Sequence, residues 1–350
     1  MSVLSETTGG LLSALFGDSG PAKPDPQMQA VLDRLAALGA RPAGRLDAAA
    51  FRAQPGPADA VASLLAEGVG TPPADKGLQI RNFPVPGAAG DIAARAYLPQ
   101  GPGPLPVIVY FHGGGWVLGG LDAYDASARS LAVGAGALVL AFDYRCAPEH
   151  PFPAAHLDAL AAWQWASETA AEFGGDPLRM AVAGEGAGGN LAIDVALAAR
   201  DHGMTQPLHQ LLVCPVAGND LDTASYRAHA DALPLGRQGM AWVLAQAFPL
   251  PGQTEDPRLN VLGRDDLAGL PPATILNARL DPLLSEGEAL AARLHDAGVP
   301  VLQRSFDGVT HEFFGTGAVV DTAREAMTLA TDRLRHAFHS GAPGAMATLL

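Results

Sequence analysis

The rhythm of apolar residues changes along the chain. Between Pro26 and Leu38 the positions Met28, Val31, Leu32, Leu35 and Leu38 recur every three or four residues, which gives a helix one apolar face, and a second helical stretch covers Ala58 to Glu67. From near Gly77 onward, short apolar runs alternate with longer helical patterns. Strands are predicted at Leu78–Val85, Ile92–Leu98, Val107–Phe111, Ala137–Tyr144, Met180–Ala183, Leu208–Pro215, Ala273–Ala278 and Val301–Phe306. Strands joined by crossover helices build a mostly parallel sheet, so the expected class is α/β, with a central sheet of about eight strands and helices on both faces.

The stretch from Asp222 to Leu250 breaks this strand-helix rhythm and is assigned to a helical cap, together with the N-terminal helices. The expected organisation is a flexible leader (1–25), N-terminal cap helices (26–75), a first part of the body (76–221), a cap insertion (222–252), a second part of the body (253–340) and a flexible tail (341–350). The leader is rich in Gly, Ser, Thr and Pro, with Leu11–Phe16 as a candidate docking helix. Ser285 and Glu288 read as a capping box, and Gly298 as the residue that closes that helix. Asp321 is placed to cap the last long helix, with His336 and His339 in its final turn.

Composition narrows the class of partner. With 48% hydrophobic and 17% charged residues over 350 positions, the chain can bury an extensive sheet and is not a disordered segment. A formal charge of −14 without a Lys/Arg cluster repels phosphate backbones, so no nucleic acid partner is expected. Cys146 and Cys214 are too few for a disulfide framework, and each sits in an apolar stretch that suits a small buried thiol. The ten histidines are scattered, no H-E-x-x-H occurs and neither cysteine has a CxxC neighbour, so no metal site and no cofactor are expected. The amino terminus lacks the pattern of a signal peptide and no later run is long enough to span a membrane, which makes the cytoplasm the expected compartment.

The chemistry-bearing motifs fall at strand ends. His112-Gly113-Gly114-Gly115-Trp116 directly follows a predicted strand, where glycines allow backbone N–H groups to approach a developing oxyanion. This is the form of the lipase and esterase oxyanion loop. Gly184-Glu185-Gly186-Ala187-Gly188 lies between a strand and a helix, in the manner of a G-x-S-x-G nucleophile elbow, but Gly186 occupies the serine position. A phosphate loop is disfavoured because neither a Walker lysine nor a following Ser/Thr is present. Asp281, in DPLLSEG, and His311, in VTHEFF, follow later strands and supply a candidate acid and base. The order nucleophile position, acid, histidine is that of α/β-hydrolases. Glu185, next to the glycine, is expected to turn its carboxylate inward, and Ser285 to serve as a helix cap.

Together with Tyr144–Ala155 (YRCAPEHPFPAA) and Asp256–Leu259 (DPRL), these motifs resemble the hormone-sensitive-lipase-like bacterial carboxylesterases, known as family IV, over about residues 26 to 338. The resemblance implies an α/β-hydrolase fold with a helical cap and hydrolysis of short-chain carboxylic esters. It implies Asp281 and His311 as retained triad members, with oxyanion donors at Gly113, Gly114 and Ala187 and substrate contacts from His112, Trp116 and Glu185. Asp143, Tyr144, Arg145, Glu149 and His150 are read as structural. A homodimer paired through an edge strand is also compatible with it. Because the ordinary mechanism has no attacking hydroxyl here, the expected function is that of an ester hydrolase with residual activity at most. A non-catalytic binder of a small ligand and a lyase run by His311 are the alternatives.

Overall fold

The sheet follows from which strands can be buried on both faces. In the computed structural model, which describes residues 23–41, 46–72 and 77–340, the strands are β1 (Gln79–Gly87), β2 (Gly90–Leu98), β3 (Leu105–Phe111), β4 (Leu138–Asp143), β5 (Gly175–Glu185), β6 (Gln210–Val213), β7 (Ala273–Leu280) and β8 (Val301–Thr310). They form one eight-stranded sheet in the order β1-β2-β4-β3-β5-β6-β7-β8. β2 runs antiparallel to β1 and β4, and every neighbouring pair from β4 to β8 is parallel. Central β3 (LPVIVYF) is almost wholly buried, as an unbroken apolar run should be when helices cover both faces. Its side chains alternate, with Val107, Val109 and Phe111 in one apolar layer and Ile108 and Tyr110 in the other. Edge strand β1 alternates only loosely and is largely exposed.

The helices are α1 (Pro26–Ala37), α2 (Ala48–Arg52), α3 (Pro57–Ala66), α4 (Asp125–Ala135), α5 (Ala154–Thr169), α6 (Ala187–Asp201), α7 (Ala224–Ala228), α8 (Arg237–Ala247), α9 (Leu284–Asp296) and α10 (Asp321–Ser340). Asp25 caps α1 by accepting from the Met28 N–H at 2.7 Å, and Pro26 opens the helix. The helical stretches outside the strand-helix rhythm do not form a core of their own. Met28, Val31, Val61 and Leu64 share an apolar cluster with body residues Ile108, Leu131 and Phe313. Likewise Met240, Val243 and Leu244 of α8 pack with Trp116, Leu259 and Leu283.

Several local expectations are corrected. Every predicted strand is present, but β5 begins at Gly175 rather than Met180 and β8 continues to Thr310. Ser285 and Glu288 do not form a capping box, because Ser285 lies inside the first turn of α9. Its hydroxyl accepts from the Ser225 N–H at 3.1 Å while the Ser225 hydroxyl accepts from the Ser285 N–H at 3.0 Å. Asp281 accepts from the N–H of Leu283, the residue just before α9, at 2.9 Å. Gly298 does follow α9 in the left-handed conformation, with φ of 78°. Asp321 stands within α10 and pairs with Arg324 and Gln27, and of the two histidines only His339 lies in the final turn. Among the described residues no helix is long and apolar enough to cross a membrane. The tail and most of the leader, including Leu11–Phe16, lie outside the described residues.

Candidate active site

β5 ends at Glu185 and α6 starts at Ala187, so a single residue turns the chain from strand to helix. That residue, Gly186, has φ 53° and ψ −115°, a backbone region that costs a side-chain-bearing residue about 1–3 kcal/mol. The turn is held from both sides: the Gly186 N–H donates to Val213 O at 2.9 Å, and Gly186 O accepts from Val216 N–H at 3.1 Å and from Asn190 N–H at 3.2 Å. Close approach also demands glycine two residues on, since a Cβ at Gly188 would overlap the carbonyl oxygens of Phe111 and His112. Through that contact the start of α6 lies directly against the His112–Trp116 loop.

Asp281 leaves the end of β7 and His311 the end of β8. They are 1% and 8% exposed, and His311 Nδ1 lies 2.8 Å from Asp281 Oδ2. A Cβ on Gly186 would stand 3.4 Å from His311 Nε2 and 3.6 Å from Cε1. The structure therefore brings Gly186, Asp281 and His311 together, although 95 and 30 residues separate them in turn along the chain. Burial by itself lowers the pKa of His311, but the charge and hydrogen bond of Asp281, helped by Glu312 and Glu185, outweigh it and lift the imidazolium to about 9.

Gly113 and Gly114 border the same point. Gly113 Cα is 4.0 Å from the Cβ position of residue 186, and Gly114 and Ala187 line a cavity of about 490 Å³ together with Gly186 and His311. Leu32, Leu35, Phe51, Leu233, Met240 and Val243 supply apolar wall from the helical segments on either side. Trp242, of the same helix as Met240, packs on Phe51, with ring centroids 5.5 Å apart.

Two expected substrate contacts are corrected. His112 is buried against Tyr144, with ring centroids 4.2 Å apart, and its Nδ1 lies 2.8 Å from Gly113 O. Trp116, at a positive φ of 58°, packs its indole between His156 and Phe248. Both rings face the interior and brace the glycine loop from behind, because a loop of three glycines has no side chains with which to hold its own shape. Tyr144 completes the brace by donating to His112 O at 2.9 Å. The structural reading of Arg145 and Glu149 fits their partners, Asp158 and Arg52.

Glu185 does turn inward and accepts from the Tyr110 hydroxyl at 2.6 Å. Burial raises its carboxyl to about 7, against the hydrogen bond of Tyr110. Its neighbours carried little signal in the chain. Tyr124 donates to Glu312 at 2.7 Å beside Gly186, and Glu312 has φ of 67°, unusual for a residue with a side chain. Only its adjacency to His311 marked Glu312, and nothing marked Tyr124. Cys214 also reaches the site: its sulfur, an Asp281 carboxylate oxygen and a His311 ring nitrogen lie within 4.8 Å of one another. Burial and the Asp281 charge push this thiol well above its ordinary pKa, so it stays protonated rather than acting as a thiolate ligand or nucleophile.

The α/β-hydrolase-fold family profile matches residues 108–315, a span that holds the glycine loop, the turn at Gly186, Asp281 and His311. The chain is 44% identical over 254 residues to carboxylesterase NlhH of Mycobacterium tuberculosis, covering 71% of this chain and 80% of that protein. It is 36% identical over 230 residues to an ethyl acetate hydrolase of Pseudomonas putida, covering 65% and 72%. Among solved structures, a thermostable esterase from Pseudomonas putida superposes with a TM-score of 0.82 at 32% identity, over 91% of this chain and 99% of that one. A hyperthermophilic esterase from Pyrobaculum calidifontis superposes with a TM-score of 0.79 at 32% identity, over 90% and 98%. By profile, sequence and architecture together, this chain belongs to the α/β-hydrolase-fold family, alongside these ester hydrolases.

Proposed function

We propose that this chain is a carboxylesterase of the hormone-sensitive-lipase-like branch in which Gly186 stands at the nucleophile position. The observation that carries this reading is directional: a side chain built on Gly186 points at His311 Nε2, and its first atom would lie 3.4 Å away. A serine hydroxyl, one bond further on, would fall within hydrogen-bond reach of that nitrogen. In this reading a short-chain ester enters the cavity, its carbonyl oxygen faces the N–H groups of Gly113, Gly114 and Ala187, and Asp281 fixes the imidazole of His311. Without a hydroxyl at residue 186, His311 acts directly on water. Removing a triad nucleophile costs on the order of a million-fold in kcat, and binding with oxyanion stabilisation leaves roughly 10³ to 10⁴ over uncatalysed hydrolysis. We also assign the chain to the cytoplasm and expect any homodimer to pair through β1 or β8, the edges of the sheet.

A second reading, a binder that holds a small ligand without turning it over, draws support from the 490 Å³ cavity ending at a residue with no reactive group. Against it stands the intact Asp281–His311 pair, which a binder does not need. Gly186→Ser decides between them. The esterase reading expects p-nitrophenyl acetate turnover to rise by about a thousandfold or more, with a small loss of melting temperature from the strained backbone. A folded but inert Gly186→Ser protein would overturn it.

A further inference from the structure

Beside Gly186 the wall of the 490 Å³ cavity is acidic, and its charge is not balanced from within the protein. Tyr124, Ser127, Glu185 and Glu312 line the cavity together with Gly186 and His311. All of these except Ser127 also meet around a niche of about 10 Å³, which makes them close neighbours. Glu185 Oε1 accepts from the Tyr110 hydroxyl at 2.6 Å and Glu312 Oε1 from the Tyr124 hydroxyl at 2.7 Å. Among the described residues the second oxygen of each carboxylate has no hydrogen-bond partner, and no arginine or lysine pairs with either glutamate. Asp281, in contrast, has His311 at 2.8 Å. Glu185 is only 6% exposed, and burial lifts its carboxyl to about 7, with the Glu312 charge adding to the rise and His311 opposing it. Ser127 is 1% exposed, and among the described residues its hydroxyl has no partner. Buried acceptors left in this state are costly unless a ligand brings the donors.

We propose that Glu185, Glu312 and Ser127 bind a primary ammonium group in the 490 Å³ cavity, so that the ester taken there is one carrying a protonated amine a few bonds from its carbonyl. The second half of the proposal rests on the ester-hydrolase reading of the same site. The three N–H donors of an alkylammonium match three acceptors, namely the free oxygens of the two carboxylates and the Ser127 hydroxyl. Hydrogen bonds between ionised partners are about twice as strong as neutral ones. A metal ion fits less well: among the described residues the one group able to offer three ligands is Cys214, Asp281 and His311, which includes neither glutamate. The acidic corner also abuts the glycine loop, since a Cβ on Gly113 would collide with the Tyr124 hydroxyl and stand 3.1 Å from Glu185 O. That closeness keeps the ammonium within a few bonds of a carbonyl held at Gly113. The groups facing the corner are Tyr110 of β3, Tyr124 and Ser127 at the start of α4, Cys214 after β6, Asp281 after β7, and His311 and Glu312 after β8. Glu185 gains its charge near pH 7 and His311 loses its own near 9, whereas burial holds the tyrosines and Cys214 well above their ordinary values. An alkylammonium stays charged up to about pH 10, as lysine does, so its binding strengthens from pH 6 to 9.

Calorimetric titration of the purified chain at pH 8 compares n-butylammonium with n-butanol, its neutral isostere, and with butyltrimethylammonium, which keeps the charge but has no N–H. Butylammonium should bind about tenfold tighter than either, the worth of hydrogen bonds to a charged group. Glu185→Gln and Glu312→Gln, with folding checked by their melting curves, should each lose about that factor, and the parent chain should bind butylammonium more tightly at pH 9 than at pH 6. Equal affinity for the three ligands, or binding unchanged in both Gln variants, would overturn the ammonium site. In Gly186→Ser, acid release should show ethyl β-alaninate exceeding its neutral isostere ethyl butyrate by about tenfold in kcat/KM; equal values would overturn the substrate assignment. The two readings of the site fail separately. If Gly186→Ser hydrolyses ethyl butyrate while the parent chain does not distinguish butylammonium from butanol, only the ammonium inference falls. If Gly186→Ser is inert toward both esters while the parent chain holds butylammonium, only the serine-position reading falls.

Discussion

At the scale of single residues, His311 is both the base of the site and a strong link between pH and stability. Its pKa of about 9 in the folded chain exceeds the ordinary histidine value near 6.5. The folded state therefore holds the proton more tightly, and the resulting stabilisation is complete below pH ~6.5 and lost as pH rises through about 9. With about 1.4 kcal/mol per pKa unit, the loss amounts to about 3 kcal/mol over that window. Urea unfolding from pH 6 to 10 should show it, and His311→Gln should give a flatter curve in the same range; parallel curves would reject the linkage. Glu185 has a folded pKa raised to about 7, so it acts at lower pH, its penalty growing between pH ~4.5 and 7. The positions of Gly186, Asp281 and His311 were legible from motif order and strand ends. Orientation was not: His112 and Trp116 carry the letters of the glycine-loop motif, yet their rings pack backward on Tyr144 and Phe248, contacts made by residues 32 and 132 positions further along.

At the scale of elements, the turn at Gly186 depends on the segment that follows β6. Val213 O accepts from the Gly186 N–H and the Val216 N–H donates back to Gly186 O, so this segment grips both sides of the turn. Its far end is fixed by Glu286, in the first turn of α9, whose Oε2 accepts from the N–H groups of Ala217 at 2.7 Å and Gly218 at 2.8 Å. Burial raises the Glu286 carboxyl to about 7, but the two N–H donors hold it in place. Glu286→Leu leaves both donors buried without a partner and should cost about 1–3 kcal/mol for each, while Glu286→Gln keeps an acceptor and should cost less. Chemical denaturation of the two variants tests this, and a Leu variant as stable as the parent chain would remove Glu286 from the account. None of this was visible in sequence, where Ser285 and Glu288 formed a plausible cap three residues apart. The actual partners lie 68 and 69 positions from Glu286, and local spacing carries no information about them. Strands were legible because burial on both faces leaves a local apolar run; β5 was read short because Asp176, Pro177 and Arg179 interrupt that run before Met180.

At the scale of the molecule, the cavity exists because two helical segments far apart in the chain close over the sheet, and α2 joins them. Phe51 of α2 packs on Trp242 of α8, while the neighbouring Arg52 reaches the body. Its guanidinium donates to Val117 O at 2.7 Å, to Ala147 O, and in a fork to Glu149 at 2.9 and 2.8 Å. Val117 follows the glycine loop directly, so the clamp ties the roof of the cavity to the loop beside Gly186. The ion pair with Glu149 is largely exposed and contributes little stability by itself. Its value lies in geometry, since a planar fork satisfies three acceptors that a lysine ammonium cannot meet together. Arg52→Lys, made in the Gly186→Ser background where turnover can be read, should therefore loosen the roof without touching the Asp281–His311 pair. The expected result is a KM for p-nitrophenyl esters raised several-fold with kcat changed by less than about twofold, the pattern of lost binding that is equal in ground and transition states. A fall in kcat at constant KM would instead place Arg52 in the chemistry, through displacement of the glycine loop.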